Sequence, residues 1–368
     1  MAKVTFEPSG KKINVSSGIS VLEAANNAGV GIDAPCGGKG TCGKCKVYLN
    51  QGTLGEVTAS ERKVFSAGDI EKGARLACRA TIQGDCIIDV PKESLLGEQK
   101  ILVDGAEYPV EIDPLVKVFS VTLPKPTLED NACDWHRLQD ALAEQTDYDS
   151  IDMDISTLRT LPKIIRDHKY TISVTMYRNR VLAVGDPSLD GVYGAAVDIG
   201  TTTMVAYVMD LVSGKIIGVG SMMNPQIPYG DDLMARISYS FKEENLEKLS
   251  KLVVDGVNKI INEGCEKAGI EMSSLSEVTI VGNTAMHHIF LRLYPKYLSL
   301  APYCPAVQQP LDLRASDVPI NINPVGNVHM LPVVAGFVGS DHLGVILSCD
   351  IHKSSEMTLA IDVGTNGE

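Results

Sequence analysis

Residues 34–45 read APCGGKGTCGKC, and the rest of the chain is best read outward from them. Cys36, Cys42 and Cys45 stand in a C-x5-C-x2-C pattern, with Gly37, Gly38, Gly40 and Gly43 between them. A fourth cysteine, Cys78 in RLACRA, follows after 32 further residues. Three thiolates on one tight loop and a fourth from a distant strand form the donor set of a [2Fe–2S] cluster. The glycines permit left-handed backbone and let N–H groups approach the sulfurs. The alternatives are a zinc site or four buried thiols. Zinc sites usually pair their ligands as two C-x2–4-C units, whereas here the fourth cysteine stands alone. Residues 38–45 also read G-x4-G-K-C, close to a phosphate-binding loop. Cys45 takes the place of the Mg2+-binding Ser/Thr and a strand follows instead of a helix, so that reading is set aside. Cys86 reads as a partly buried strand cysteine.

The flanks predict a small β-grasp unit over residues 1–95. Residues 3–8 (KVTFEP) and 12–15 (KINV) alternate like strands around a Ser9-Gly10-Lys11 turn. Ser20 predicts the cap of a helix over 21–28 that closes at Gly29. Further strands are expected at 46–49, 75–81 and 86–90, the last two paired around Gln83-Gly84-Asp85. This segment resembles the [2Fe–2S] ferredoxins, and its cysteine spacing is similar to the adrenodoxin-like branch rather than the plant branch.

Bulk composition narrows the class. At 368 residues the chain exceeds one typical core and predicts two or three domains. A net charge of −13 argues against nucleic acid as a partner. Of the 33 Lys+Arg and 46 Asp+Glu, residues 1–95 hold 12 and 10, leaving 21 and 36 for the remainder. Lys39, Lys44, Lys46, Arg75 and Arg79 lie near the cysteines and can offset the charge of a cluster. Nine cysteines, an odd count in a long chain with no N-terminal apolar segment, do not read as a disulfide framework. No apolar run of membrane-spanning length occurs. The expected location is cytoplasmic, with no membrane association.

Residues 96–115 read as a linker and 116–190 as a small α/β middle domain. Strands are expected at 116–123, 170–177 and 181–184, and helices at 135–144 and 156–167. The acidic run Asp147, Asp149, Asp152 and Asp154 lacks the glycine and terminal glutamate of a calcium loop and reads as solvated.

At residue 194 the pattern changes. Residues 195–203 read AAVDIGTTT and residues 360–367 read AIDVGTNG. Both are read as apolar strands ending in Asp-x-Gly-Thr, an internal repeat of a two-lobed nucleotide-binding fold. The glycines admit phosphate to backbone N–H groups, the threonines add donors, and the aspartates can hold hydrated Mg2+ or orient water. A meander at 204–209 and 215–219 follows, with helices at 231–241 and 246–268. A strand at 278–281 leads through Gly282, Asn283 and Thr284 into a helix. A strand at 330–334 precedes GFVGSD and an apolar helix. Adjacent His287 and His288 face different sides of a helix and read as packing residues.

Residues 191–368 resemble the ASKHA fold of actin-like, RNase H-like ATPases. The resemblance implies that Asp198, Gly200, Thr201 and Thr202 form the first phosphate motif. Gly282, Asn283 and Thr284 would form the first connecting motif, and Asp362, Gly364 and Thr365 the second phosphate motif. ATP with Mg2+ is the implied ligand, with Asp198 or Asp362 assisting hydrolysis. The family's adenosine motif and most of its second lobe would lie beyond Glu368. This implies an incomplete ATPase lobe, either a fragment of a longer frame or one with impaired ATP binding.

The combination is a multi-domain α+β and α/β chain: β-grasp ferredoxin, middle domain and truncated ASKHA lobe. It resembles the reductive activators of corrinoid proteins. The resemblance implies an iron–sulfur electron-transfer protein that returns Co(II) corrinoid to Co(I) in a methyltransferase system, coupled to ATP. Cys36, Cys42, Cys45 and Cys78 would be the cluster ligands. Expected partners are a corrinoid protein, a low-potential electron donor and, as a homodimer, a second copy of the chain. Two other readings are a plain [2Fe–2S] carrier with a vestigial lobe, and a small-molecule kinase with a redox-sensing ferredoxin domain.

Overall fold

Alternation at the N-terminus produces a hairpin, β1 (Ala2–Glu7) with β2 (Lys11–Val15), that turns Ala2, Val4 and Phe6 into the core. The computed structural model of the chain describes residues 1–34, 36, 38–95, 111–187, 191–230 and 232–362. They pack as two units. One draws on Met1–Leu102, Met223–Leu252 and Tyr294–Pro302, the other on Val103–Met222, Val253–Leu293 and Tyr303–Glu368.

In the first unit, helix α1 (Val21–Asn27) follows β2. Its cap is the expected one: the Ser20 hydroxyl accepts the Glu23 N–H at 3.1 Å. Then come β3 (Lys46–Leu54), α2 (Ala59–Val64), α3 (Ala67–Glu71), β4 (Ala74–Leu76) and β5 (Ile82–Asp89). The sheet order is β2-β1-β5-β3-β4, with β1 and β5 parallel and β3 antiparallel to both its neighbours. Val21, Leu22, Ala24 and Ala25 of α1 join Phe6, Ile82 and Ile88 in one apolar core. Two differences from the sequence reading matter for the cysteines. The strand expected over 75–81 ends at Leu76, because Arg79 and Ala80 both donate to the Leu76 carbonyl at 2.8 Å and coil the chain into a turn. Cys78 therefore sits on that turn. In addition, β4 pairs with β3, and β5 pairs with β1 and β3 instead of with β4.

In the second unit, a sheet of order β6-β8-β9-β7 is built from β6 (Val116–Thr122), β7 (Asp152–Met153), β8 (Thr171–Tyr177) and β9 (Arg180–Gly185). Helices α4 (Asp134–Ala143) and α5 (Ile155–Asp167) cover it through Leu138, Leu142, Leu161 and Ile165. The acidic run divides: Asp154 caps α5 and pairs with Arg314.

The larger sheet of the second unit contains β10 (Tyr193–Ile199), β11 (Thr203–Asp210) and β12 (Lys215–Met223). Next in the chain are α6 (Leu233–Tyr239) and α7 (Glu243–Ala268), of which α6 and the start of α7 belong to the first unit; then come β13 (Leu275–Gly282), α8 (Thr284–Phe290), β14 (Leu311–Arg314), β15 (Asn327–Met330) and α9 (Ser340–Ser348). Strand order is β12-β11-β10-β13-β15-β14. A meander pairs with two strands that run parallel to β10, which is the RNase H-like arrangement. The chain reverses its direction of travel across the sheet between β10 and β13, and ligands of such sheets bind beyond the carboxyl ends of the strands at that point.

The strand expected at 330–334 lies earlier, because Pro332 cannot donate to a ladder. The strand expected before the second Asp-x-Gly-Thr does not form. Residues 355–362 are irregular, and Met357, Leu359 and Ile361 are exposed. Gly364 and Thr365, with most of the linker, lie outside the described residues. Among the described residues no helix is long and apolar enough to cross a membrane.

Candidate functional site

Two sulfur pairs form the first candidate site. The Cys45 and Cys78 sulfurs are 3.4 Å apart, and the Cys36 and Cys42 thiols share a hydrogen bond. Burial works against ionising Cys36. The N–H groups of Thr41, Cys42 and Gly40 turned toward its sulfur outweigh this and bring its pKa down to about 6. The Lys44 N–H faces Cys42, and the Cys78 N–H faces Cys45. The hydrogen bond between Cys45 and Cys78 favours ionisation of Cys45 and opposes that of Cys78. A [2Fe–2S] cluster takes two thiolates on each iron and stabilises its sulfurs with backbone N–H groups. Two dithiol pairs wrapped in N–H groups fit that demand. Cys86 stands apart, buried in β5, with its thiol pushed up to about 11 by burial.

The loop holds this shape through Gly40 and Arg79. Gly40 has φ +74, and a Cβ there would sit 2.6 Å from Arg79 Nε. Arg79 crosses that space and donates from Nη2 to the Lys39 carbonyl at 2.6 Å, fastening the cysteine loop to the turn that carries Cys78. Behind the turn lies a buried ion pair that sequence reasoning missed. Glu61, fully buried, accepts from Arg75 Nε at 2.8 Å, from the Leu76 N–H at 3.1 Å and from the Thr58 N–H at 2.7 Å. The signal was present: Thr58-x-x-Glu61 is a capping box, and it caps α2.

The second candidate site lies at the carboxyl ends of β10 and β13, where the structure gathers most of the residues read from sequence. Asn283 donates to the Thr201 hydroxyl at 3.0 Å, bridging the two strand ends. The Gly282 N–H donates to the Ser340 hydroxyl at 3.1 Å, and that hydroxyl donates back to the Gly282 carbonyl at 3.0 Å. The start of α9 is thereby pinned to β13. Gly339 makes the approach possible, since a Cβ there would lie 2.3 Å from the Asn283 Cα. Thr284 is fully buried and donates to the Ala335 carbonyl at 2.6 Å.

Asp198 reaches solvent although protein surrounds it deeply. That burial, with the charges of Asp341 and Asp362, pushes its pKa up to about 7. Asp341 is raised as well, first by burial and then by Asp362. Asp341 was not singled out from sequence; its signal is an acid opening the apolar helix after GFVGSD. His287 and His288 are both buried. His288 is spent on structure: Nδ1 meets the Thr284 carbonyl at 2.8 Å, and Nε2 accepts the Ala306 N–H at 2.8 Å.

Comparison with known proteins follows the same division. Residues 4–83 match the 2Fe-2S iron-sulfur cluster binding domain, 105–188 the RACo linker region and 193–354 the RACo middle region. What reads from sequence as a middle domain thus matches the RACo linker region, and the ASKHA lobe matches the RACo middle region. The chain aligns with the corrinoid activation enzyme RamQ of Eubacterium limosum at 30% identity, over 100% of its own length and 58% of RamQ. It also resembles one component of the Na(+)-translocating NADH-quinone reductase of Marinomonas sp. (strain MWYL1), at 32% identity over 33% of this chain and 29% of that protein. A solved structure described as a reductive activator for corrinoid, iron-sulfur protein superposes with a TM-score of 0.65 at 36% identity, covering 100% of this chain and 60% of that one. The chain therefore spans about three fifths of the length of these two activators.

Proposed function

We propose that this chain, which carries in order the iron–sulfur, linker and middle regions of the RACo activators, delivers electrons that return a Co(II) corrinoid protein to Co(I), with the work coupled to ATP. In this reading Cys36 and Cys42 hold one iron of a [2Fe–2S] cluster, and Cys45 and Cys78 the other. Bound there, the cluster supplies one-electron transfer. The residues around it orient the thiolates and supply N–H groups to them. Asp198, Gly200, Thr201, Thr202, Gly282 and Asn283 receive Mg2+ and phosphates, with Asp341 as a further acid. Asp362, Gly364 and Thr365 complete the site. Asp198 or Asp362 orients the attacking water.

The observation that carries the reading is the union in one chain of two cysteine pairs, Cys36 with Cys42 and Cys45 with Cys78, and an RNase H-like sheet. Asp198, near the end of its β10, feels the charges of Asp341 and Asp362 at the point where nucleotides bind such folds. Reduction to Co(I) is uphill from ordinary donors. Nucleotide can drive it if it binds two states of the activator–corrinoid complex unequally. The corrinoid protein and a low-potential donor are the partners of this reading, and a second copy of the chain is a third.

The test is anaerobic. The full chain is reconstituted with iron and sulfide, and iron, zinc and EPR are measured. Co(II) corrinoid protein is then supplied with a low-potential donor, with and without ATP. ATP-dependent appearance of the Co(I) absorbance supports the reading. Zinc without iron, or no Co(I) under any condition, sinks it. The irregular course of residues 355–362 favours a second reading, a plain electron carrier with a structural lobe. Cluster reduction without any ATPase activity or ATP effect would select that one.

A further inference from the structure

The two segments that bring the cysteines together contain no acid. Residues 34–55 hold Lys39, Lys44 and Lys46 with no Asp or Glu, and residues 72–84 hold Lys72, Arg75 and Arg79 with none. Arg75 is consumed by Glu61, and Lys46 lies over the Tyr48 ring at 4.9 Å. Lys39, Lys44, Lys72 and Arg79 remain, all exposed; Lys39, Lys44 and Arg79 lie on or against the loop of Cys42, which is itself exposed. Arg79 is fixed beside Lys39 by its bond to that residue's carbonyl, and Lys44 turns its N–H to the Cys42 sulfur. Helix α2 reaches the same loop: Val64 Cγ1 lies 2.9 Å from where a Cβ on Gly43 would stand. That helix exposes Arg62 and Lys63.

Lys39, Lys44 and Arg79 therefore border the loop of the exposed Cys42, and α2, which exposes Arg62 and Lys63, packs against the neighbouring Gly43. The oxidised cluster with four thiolates carries a charge of −2, so this face stays positive when the site is filled. The remainder of the chain carries 21 Lys+Arg against 36 Asp+Glu, so the excess of cations belongs to residues 1–95. Electron transfer falls steeply with distance, and a partner must dock where the cluster is closest to solvent. Clustered charge of one sign at such a point steers partners of the opposite sign. We infer that the face bordered by Lys39, Lys44 and Arg79, with Arg62 and Lys63 on the adjoining helix α2, docks an electron-transfer protein whose own redox centre is ringed by Asp and Glu. The inference rests on the cluster assignment made above.

Two probes of opposite charge test it on the reconstituted full chain. The reduced protein is mixed by stopped flow with hexacyanoferrate(III) and, separately, with hexaamminecobalt(III). The rate with the anion should fall on the order of tenfold between about 0.01 and 0.3 M ionic strength. Lys39→Glu with Lys44→Glu should lower the low-salt rate with the anion on the order of tenfold and raise that with the cation. Arg62→Glu with Lys63→Glu, remote from the loop backbone, should act in the same direction. A second readout needs no electron transfer. Redox-inert hexacyanochromate(III) should relieve microwave saturation of the reduced cluster's EPR signal in the parent chain, and not in the Lys39→Glu, Lys44→Glu chain. A normal EPR signal with an anion rate that ignores salt or rises with it overturns the docking face and leaves the cluster standing. A chain that takes up no cluster overturns both.

Discussion

Asn283 donates from Nδ2 to Thr201 Oγ1 at 3.0 Å while its Oδ1 accepts the Met286 N–H at 3.0 Å. One side chain thus caps α8 and holds the loop after β10 against the end of β13. The two roles separate by substitution. Asn283→Ala should cost about 1–2 kcal/mol of stability, the loss of a cap and a buried hydrogen bond. Asn283→Asp keeps the capping acceptor and loses the donor. It should melt near the parent and bind Mg–nucleotide more weakly. Thermal melts beside nucleotide titrations decide this, and an Asp variant that binds like the parent would show that the bridge to Thr201 is unimportant for the ligand.

The buried Glu61–Arg75 pair supports the turn that carries Cys78. Glu61→Ala strands a buried guanidinium and should cost about 3–5 kcal/mol, whereas Thr58→Ala removes a cap worth about 1 kcal/mol. Urea titrations that follow cluster absorbance rank the two. Burial opposes ionisation of Glu61, but Arg75, Thr58 and the Leu76 N–H outweigh it and hold the carboxyl below its usual range. A depressed carboxylate contributes stability that is present above the unfolded pKa, near about 4.3, and lost as pH falls through the folded value. Cluster retention should therefore fail in acid below about pH 4, and Glu61→Gln should show a flatter profile there.

Cys78→Ser should change the visible and EPR spectra of the reconstituted chain or abolish cluster uptake. Cys86→Ser should leave both unchanged, because its thiol lies in the β5 core away from the two sulfur pairs. Equal spectra for Cys78→Ser and the parent would remove Cys78 from the ligand set.

Asp198 carries a raised pKa, so its sign is opposite to that of Glu61. The cost of its negative charge is absent below the ordinary carboxylate pKa and grows as pH rises toward about 7. Without cation, stability of the second unit should decline over that window, and Asp198→Asn should flatten the decline. Mg2+ affinity should move the other way and strengthen as Asp198 ionises. Calorimetric melts and Mg2+ titrations at about pH 5.5 and 8 check both slopes.

The sequence was most legible where function is written locally. The cysteine loop, the Ser20 cap and the strand into Asp198 are contiguous signals, and all three elements appear in the fold. Misreadings came where long-range pairing decides. Residues 75–81 alternate well enough to look like a strand, yet β4 stops at Leu76 because its following N–H groups turn back on the Leu76 carbonyl. The apolar run at 330–334 looked like a strand, but the ladder falls on Asn327–Met330, whose polar side chains serve a network with Asp312. Asp341 carried only the weak signal of an acid in the first turn of a helix, because its meaning comes from Asp198, which is 143 positions away in the chain.

The 3.4 Å contact between Cys45 and Cys78 has a practical side. A disulfide needs its sulfurs at about 2.05 Å, so closing this gap takes a shift on the order of 1 Å. In air, a chain without its cluster should staple the cysteine loop to the turn beyond β4 and lock itself out of iron. Protein purified aerobically should then give no free thiol at Cys45 or Cys78 by alkylation and mass spectrometry. It should accept iron and sulfide only after dithiothreitol, so its history of exposure to oxygen, more than its fold, decides whether it can work.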